Sequence, residues 1–67
     1  MTVARVTEIS ATSPSGFEDA IAEGVARATK TLRNVKSAWV KEMRVEVSGE
    51  RITESQVNLL VTFVLDD

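Results

Sequence analysis

The last dozen residues up to Leu65 alternate with the two-residue period of a β-strand. One side of this segment is apolar throughout and consists of Val57, Leu59, Val61, Phe63 and Leu65. The other side begins polar at Gln56 and Asn58 and becomes apolar toward Leu60 and Val64. A strand with apolar residues on both faces needs a cover on each face. A chain of 67 residues has room for one helix and so supplies one cover. The second cover must be another copy of the chain or a ligand.

The length of the chain also favours a partner. Residues 1–67 form one domain, near the lower limit at which a hydrophobic core outweighs the conformational entropy of folding. The sequence contains neither cysteine nor histidine, which excludes disulfides, thiolate metal sites and imidazole ligands. Oligomerisation is the stabilising device that remains.

Charge and composition exclude several classes of function. The net charge is -2, and the eight basic residues alternate with ten acidic ones instead of forming a run, which argues against nucleic acid as a partner. No segment is apolar for long enough to act as a signal peptide or to span a bilayer, so we expect a cytoplasmic protein. Histidine, cysteine and tyrosine are all absent, and the remaining side chains form no recognisable catalytic set, so we do not expect an enzyme.

The order of the secondary-structure elements follows from local patterns. Thr2–Ser10 is rich in β-branched residues and predicts a first strand. The segment ATSPSG ends it, and Ser15 followed by Glu18 has the form of a capping box that begins a helix. The helix is expected to run to about Arg33, with a stripe of apolar residues toward the core, namely Phe17, Ile21, Val25, Ala28 and Leu32, beside Ala20 and Gly24.

The second half of the chain predicts two more strands. Asn34 is suited to a left-handed exit from the helix, and residues 35–47 read as a long strand. Its apolar residues change from even to odd positions, which predicts a β-bulge near Lys41 to Arg44. Ser48, Gly49 and Glu50 supply turn chemistry, and the last strand begins at about Ile52. The predicted fold is therefore α+β with the order β-α-β-β.

Three features are candidates for binding a ligand. Four carboxylates, Glu42, Glu46, Glu50 and Glu54, are of the kind that binds a hard cation such as calcium or magnesium, but their spacing matches no EF-hand loop and favours a solvated surface. Trp39, the only tryptophan, is suited to stacking on a flat ring and equally to anchoring a subunit contact. Gln56 carries an amide that can donate to and accept from a planar heterocycle.

Three segments together resemble the dodecin family over essentially the whole chain: VTEISATSPSGFEDAI, ARATKTLRNV and SQVNLLVTFVLDD. The resemblance implies a three-stranded antiparallel sheet wrapped around one helix, with twelve copies assembled into a hollow shell. It also implies a flavin, riboflavin or FMN, stacked in pairs between tryptophans of neighbouring copies and stored or buffered there. In this comparison Gln56 matches the glutamine that contacts the flavin ring. Ser37 falls where the family has its stacking tryptophan, and Trp39 lies two residues later.

The sequence leaves two hypotheses open. In the first, a non-enzymatic homododecamer binds flavin through Gln56 and Trp39, with Ser37 and Glu46 also facing the ligand. In the second, the shell lacks flavin, Trp39 anchors a subunit contact, and carboxylates collect cations. The first is the hypothesis that we favour from the sequence.

Overall fold

A three-stranded antiparallel sheet with one helix packed on one face makes up the chain, in a computed structural model that describes residues 2–65. The elements in order are β1 (Ala4–Ser13), α1 (Phe17–Thr31), β2 (Val35–Ser48) and β3 (Arg51–Val64). The strands lie in the order β1-β3-β2, so the C-terminal strand is central. The predicted α+β class and the order β-α-β-β are confirmed.

The first strand and the start of the helix differ from the prediction. β1 begins two residues later than expected and continues to Ser13, because its pairing with β3 extends to Ser55. The capping box predicted at Ser15 and Glu18 is wrong, since the residue before the helix is Gly16 and no side chain caps it.

Buried Ser13 takes over the link between β1 and the helix. Its Oγ donates to Asp19 Oδ2 at 2.6 Å and accepts from the backbone N–H of Ser15 at 3.0 Å. The Asp19 carboxylate also lies in the first turn of α1, where the helix dipole favours a negative charge. This one serine therefore fixes the turn that joins strand to helix.

The helix approaches the sheet through its smallest residues. Ala20, Gly24 and Ala28 are its buried positions. The larger residues of the predicted stripe flank this line and pack against the core while half-buried, namely Phe17, Ile21, Val25 and Leu32. Below them Val57, Leu59 and Val61 of β3 are buried, as their alternation predicts. The core is thus one line of small helical residues over one face of the central strand.

The helix is shorter than predicted and the exit from it is as predicted. α1 ends at Thr31 instead of about Arg33, because Leu32 already has extended backbone angles. Asn34 has a φ of 60°, the left-handed conformation that its position suggested. Gly49 has a φ of 62° in the two-residue turn between β2 and β3.

Irregularities in β2 decide which side chains reach which face. The register against β3 shifts between Val40 and Glu42, so Lys41 is an extra residue, as the change of parity predicts. A further shift lies between Val35 and Ser37. The strand is regular from residue 37 to residue 40, so Ser37 and Trp39 point to the same face.

The sheet extends well beyond the helix. A helix of 15 residues is about 22 Å long, whereas strands of 14 residues are about 46 Å long. α1 lies mainly over β1 and β3, so the helix-side face of β2 beyond its start has little cover. Among residues 2–65 no helix is long and apolar enough to cross a membrane.

Candidate ligand-binding face

The sheet face that points away from α1, which we call the outer face, carries most of the predicted site residues. Residues directly opposite each other in a sheet share a face. The register therefore assigns to the outer face Ser37, Trp39, Glu42, Arg44 and Glu46 of β2, Gln56, Asn58, Leu60 and Thr62 of β3, and Glu8, Ser10 and Thr12 of β1. Gln56, Trp39, Ser37 and Glu46 are all on this face.

Gln56 lies at the centre of a polar network that crosses all three strands. Its Oε1 accepts a hydrogen bond from Arg44 Nε at 3.1 Å. Its Nε2 donates to Ser10 Oγ at 2.9 Å and to Asn58 Oδ1 at 3.4 Å. The network continues from Asn58 Nδ2 to Glu42 Oε1 at 3.1 Å. The amide of Gln56 is thus held in place by side chains of β1, β2 and β3.

Sequence reasoning did not find the partners of Gln56. Asn58 shares the even parity of Gln56 on β3, which was the available signal. Arg44 and Ser10 lie on other strands, and only the register places them beside Gln56. That register depends on the extra residue Lys41, whose position along β2 the sequence locates only approximately.

Glu46 is attached to the same network. Its Oε1 accepts from Arg44 Nη2 at 3.2 Å, while Arg44 Nε contacts Gln56. Both charged side chains are well exposed, so this ion pair contributes little to stability. Its structural consequence is to orient the guanidinium group that contacts Gln56.

Trp39 occupies a separate apolar part of the outer face. It is paired with Leu60 and is 49% exposed. Across β3, Leu60 is paired with Glu8, whose Oε1 lies 3.2 Å from Lys41 Nζ. An exposed indole beside a leucine, flanked by an ion pair, offers a flat apolar surface to a ring or to another protein.

A single chain does not bring the predicted site residues together. Trp39 is paired with a residue four positions from Gln56 on β3, about 13 Å along the strand. Ser37 is paired with Thr62, six positions and about 20 Å away. Gln56 and Glu46 lie close together, whereas Trp39 and Ser37 are too distant to touch the same small ring edge.

The recess at the Gln56 network is small. Its volume is about 130 Å³, and its lining consists of Glu42, Met43, Arg44, Gln56 and Asn58. Sites for small molecules usually have volumes of about 300 to 1,000 Å³. A larger groove of about 820 Å³ lies between α1 and β1, and none of the predicted site residues lines it. One chain therefore supplies only part of a site for a ring as large as a flavin.

The carboxylates of the outer face do not form a cation site within one chain. Glu42 accepts from Asn58 and Glu46 accepts from Arg44. In the part of the chain that the structure describes, no three acidic side chains are grouped so that they could hold a metal ion.

Comparison with known proteins gives one consistent family. The dodecin family model matches residues 3–66. The dodecin of Thermus thermophilus is 40% identical over 65 residues, which is 97% of this chain and 94% of the relative. The dodecin structure from Streptomyces davaonensis has 39% identity and a TM-score of 0.92, covering 98% of this chain and 97% of that one. The structure from Streptomyces coelicolor has 33% identity and a TM-score of 0.92, covering 98% and 94%.

Proposed function

Because this chain belongs to the dodecin family, we propose that it is a non-enzymatic protein whose copies assemble into a dodecameric shell and sequester a flavin, riboflavin or FMN. The observation that carries the proposal is the position of Gln56 on the outer face, with its amide oriented by Arg44 and Ser10. A planar heterocycle is recognised by such a fixed amide at its polar edge and by an aromatic ring on its face.

The distances on the outer face favour a ligand shared between copies. The recess beside Gln56 is smaller than a flavin site, and Trp39 lies about 13 Å along the sheet from it. When outer faces of two copies meet, an indole of one copy can approach the Gln56 of another. Assembly and ligand binding are therefore two parts of the same proposal.

Trp39 is the residue that we propose for stacking. Ser37 occupies the family's tryptophan position and provides no ring, but it shares a face with Trp39 without an intervening bulge. The indole is half-exposed and so has apolar surface free for a flat ring. Stacking on an aromatic side chain is worth on the order of 1 kcal/mol or more.

A second candidate function is a flavin-free shell in which Trp39 anchors a subunit contact. The pairing of Trp39 with Leu60 favours this candidate, because adjacent exposed apolar side chains are typical of protein interfaces. A cation such as calcium would then need carboxylates from more than one copy. Each candidate assigns a different consequence to the loss of the indole.

Titration of riboflavin and of FMN with the purified protein tests the proposal. We expect the flavin fluorescence to be quenched on binding, since stacking on an indole is an efficient quenching geometry. Gln56→Ala should weaken binding by about tenfold, the value of one or two hydrogen bonds. Thr29→Ala is the control, because it removes a polar side chain from an exposed position of α1, away from the outer face. Unchanged flavin fluorescence at saturating protein would contradict the flavin assignment.

Trp39→Ala distinguishes the two candidates. If the indole stacks on flavin, the variant assembles normally and binds riboflavin at least fivefold more weakly, as a loss of about 1 kcal/mol or more implies. If the indole is an anchor, the variant fails to assemble in the absence of any ligand. Ser37→Trp places a second indole on the same face as Trp39, two residues earlier in β2. This variant should bind riboflavin more tightly than the wild-type protein.

A further inference from the structure

The hydrogen bonds around Gln56 run in one direction across the outer face. Arg44 donates to Gln56 at 3.1 Å, Gln56 donates to Asn58 at 3.4 Å, and Asn58 donates to Glu42 at 3.1 Å. A guanidinium group can only donate, and an ionised carboxylate can only accept. The two charged ends therefore fix which way both amides between them are oriented.

The network also uses up the donors of Gln56. A primary amide has two N–H donors and two acceptor lone pairs on its oxygen. Ser10 Oγ and Asn58 Oδ1 each accept one of the two N–H groups. Arg44 Nε occupies one lone pair of Oε1. One acceptor site on Oε1 is all that the amide has left for a ligand.

We propose that Ser10 and Asn58 act as positioning residues that make Gln56 a hydrogen-bond acceptor only, so that the site selects planar heterocycles whose edge carries an N–H donor. This inference rests on the proposed function, and it narrows the expectation that the amide both donates and accepts. A flavin meets the requirement through the imide N–H of its pyrimidine ring. A ring whose edge carries only acceptors leaves Oε1 facing a carbonyl or an alkyl group.

Riboflavin and 3-methylriboflavin, which lacks only the imide N–H, provide the direct test. The wild-type protein should bind the methylated compound about tenfold more weakly, because Gln56 Oε1 is left facing a methyl group instead of a donor. Equal affinities for the two compounds would overturn the proposal.

Variants of Ser10 separate positioning from general stability. Ser10 is exposed on the outer face, so its replacement leaves the core intact. Ser10→Ala frees one N–H of Gln56, which then donates to a ligand carbonyl, and the preference for riboflavin should fall to about threefold. Ser10→Thr keeps the hydroxyl and should restore the preference, whereas Thr29→Ala, at an exposed position of α1, should leave it at the wild-type value. An unchanged preference in Ser10→Ala would contradict the positioning role.

A measurement without ligand keeps this inference separate from the proposed function. Gln56 is the only glutamine in the sequence, so glutamine labelled at its side-chain nitrogen gives a single NH₂ pair in proton–nitrogen correlation spectra. The pair should shift in Ser10→Ala and stay in place in Thr29→Ala. Absence of a shift in Ser10→Ala would refute the fixed amide. If the wild type binds no riboflavin, the proposed function fails, and these spectra still decide whether the amide is held.

Discussion

Gly24 is the residue at which α1 comes closest to the sheet. A Cβ atom at this position would lie 2.9 Å from Leu59 Cδ1 and 3.2 Å from Ala11 Cβ. Leu59 is buried, and the Cβ of Ala11 has no rotamer through which to move aside. A glycine in the middle of a helix costs about 1 kcal/mol relative to alanine. The cost is explained by the short distance between helix and sheet that glycine permits.

Gly24→Ala should therefore destabilise the protein. Overpacking costs about 1 to 3 kcal/mol and outweighs the gain of about 1 kcal/mol in helix propensity. We expect the free energy of unfolding to fall by about 1 kcal/mol, measured by denaturant titration at fixed protein concentration. Ala26→Gly, at an exposed position of α1, measures the propensity effect alone. Stabilisation by Gly24→Ala would contradict the close packing.

Individual residues differ in how far the sequence predicts them. The outward position of Gln56 follows from the alternation of β3, and its role as a ligand contact stays a prediction based on family resemblance. Its bonds to Arg44 and Ser10 join three strands and depend on a register that local patterns do not specify. The capping box at Ser15 was wrong because a one-residue shift of the helix start places Gly16 at the cap. Local side-chain chemistry alone does not decide between adjacent caps.

At the scale of the elements, the bulge at Lys41 determines the chemistry of the outer face. Before it, Trp39 points outward and Val40 inward, and after it, Glu42 points outward and Met43 inward. If the strand continued through Lys41 with regular alternation, the charged side chains that follow would face the helix and the apolar ones would face outward. The change of apolar parity made this bulge predictable, whereas the shift beside Lys36 has no comparable sequence signal.

Deletion of Lys41 should therefore remove the bulge without changing which side chains of β2 face outward. In the deletion variant Glu42 follows Val40 directly and pairs with Asn58 without a shift, so every later residue of β2 keeps its face and we expect an assembled, cooperatively unfolding protein. Lys41→Ala loses only an exposed ion pair with Glu8, worth at most about 1 kcal/mol. Circular dichroism with thermal melting compares the two variants. A deletion variant that melts without cooperativity, while Lys41→Ala melts normally, would show that Lys41 is more than an extra residue in the register.

The apolar period of α1 predicts that the helix exists but not which of its residues lie closest to the sheet. Its apolar period correctly predicts one amphipathic helix against one sheet. The period does not reveal that small residues, Ala20 and Ala28 with Gly24 between them, form the line of closest approach. That line is set by how nearly the helix backbone approaches the sheet, which depends on the side chains of β1 and β3 beneath it.

At the scale of the whole molecule, one chain exposes more surface than a compact monomer. Its accessible surface is 5019 Å², whereas a compact monomer of 7.3 kDa exposes about 4,200 Å². The difference, about 800 Å², is what one partner typically buries in a standard interface. The exposed apolar residues responsible include Val40, Met43, Val45, Val47 and Ile52. The need for a second cover, first inferred from β3, is therefore greatest along β2.

Met43→Asp tests whether this uncovered face joins copies together. Met43 is paired with buried Val57 on the helix side of the sheet and is 52% exposed in one chain. An unpaired carboxylate buried in an interface costs on the order of several kcal/mol, so we expect the assembly to dissociate. Thr29→Asp adds the same charge at an exposed position of α1 and serves as the control. Size-exclusion chromatography with light scattering gives the mass of each variant. Full assembly of Met43→Asp would show that this face of β2 stays in solvent.

The central claim is that copies of this chain assemble and bind a flavin as one particle. Sedimentation velocity of the protein with added riboflavin, recorded at a wavelength that only the flavin absorbs, tests both parts at once. We expect flavin absorbance to sediment together with a particle many times heavier than the 7.3 kDa chain. If the protein sediments as an assembled particle while the flavin absorbance stays behind, the binding is contradicted. A compact 7.3 kDa species at working concentration would contradict the assembly, and with it a flavin site shared between copies.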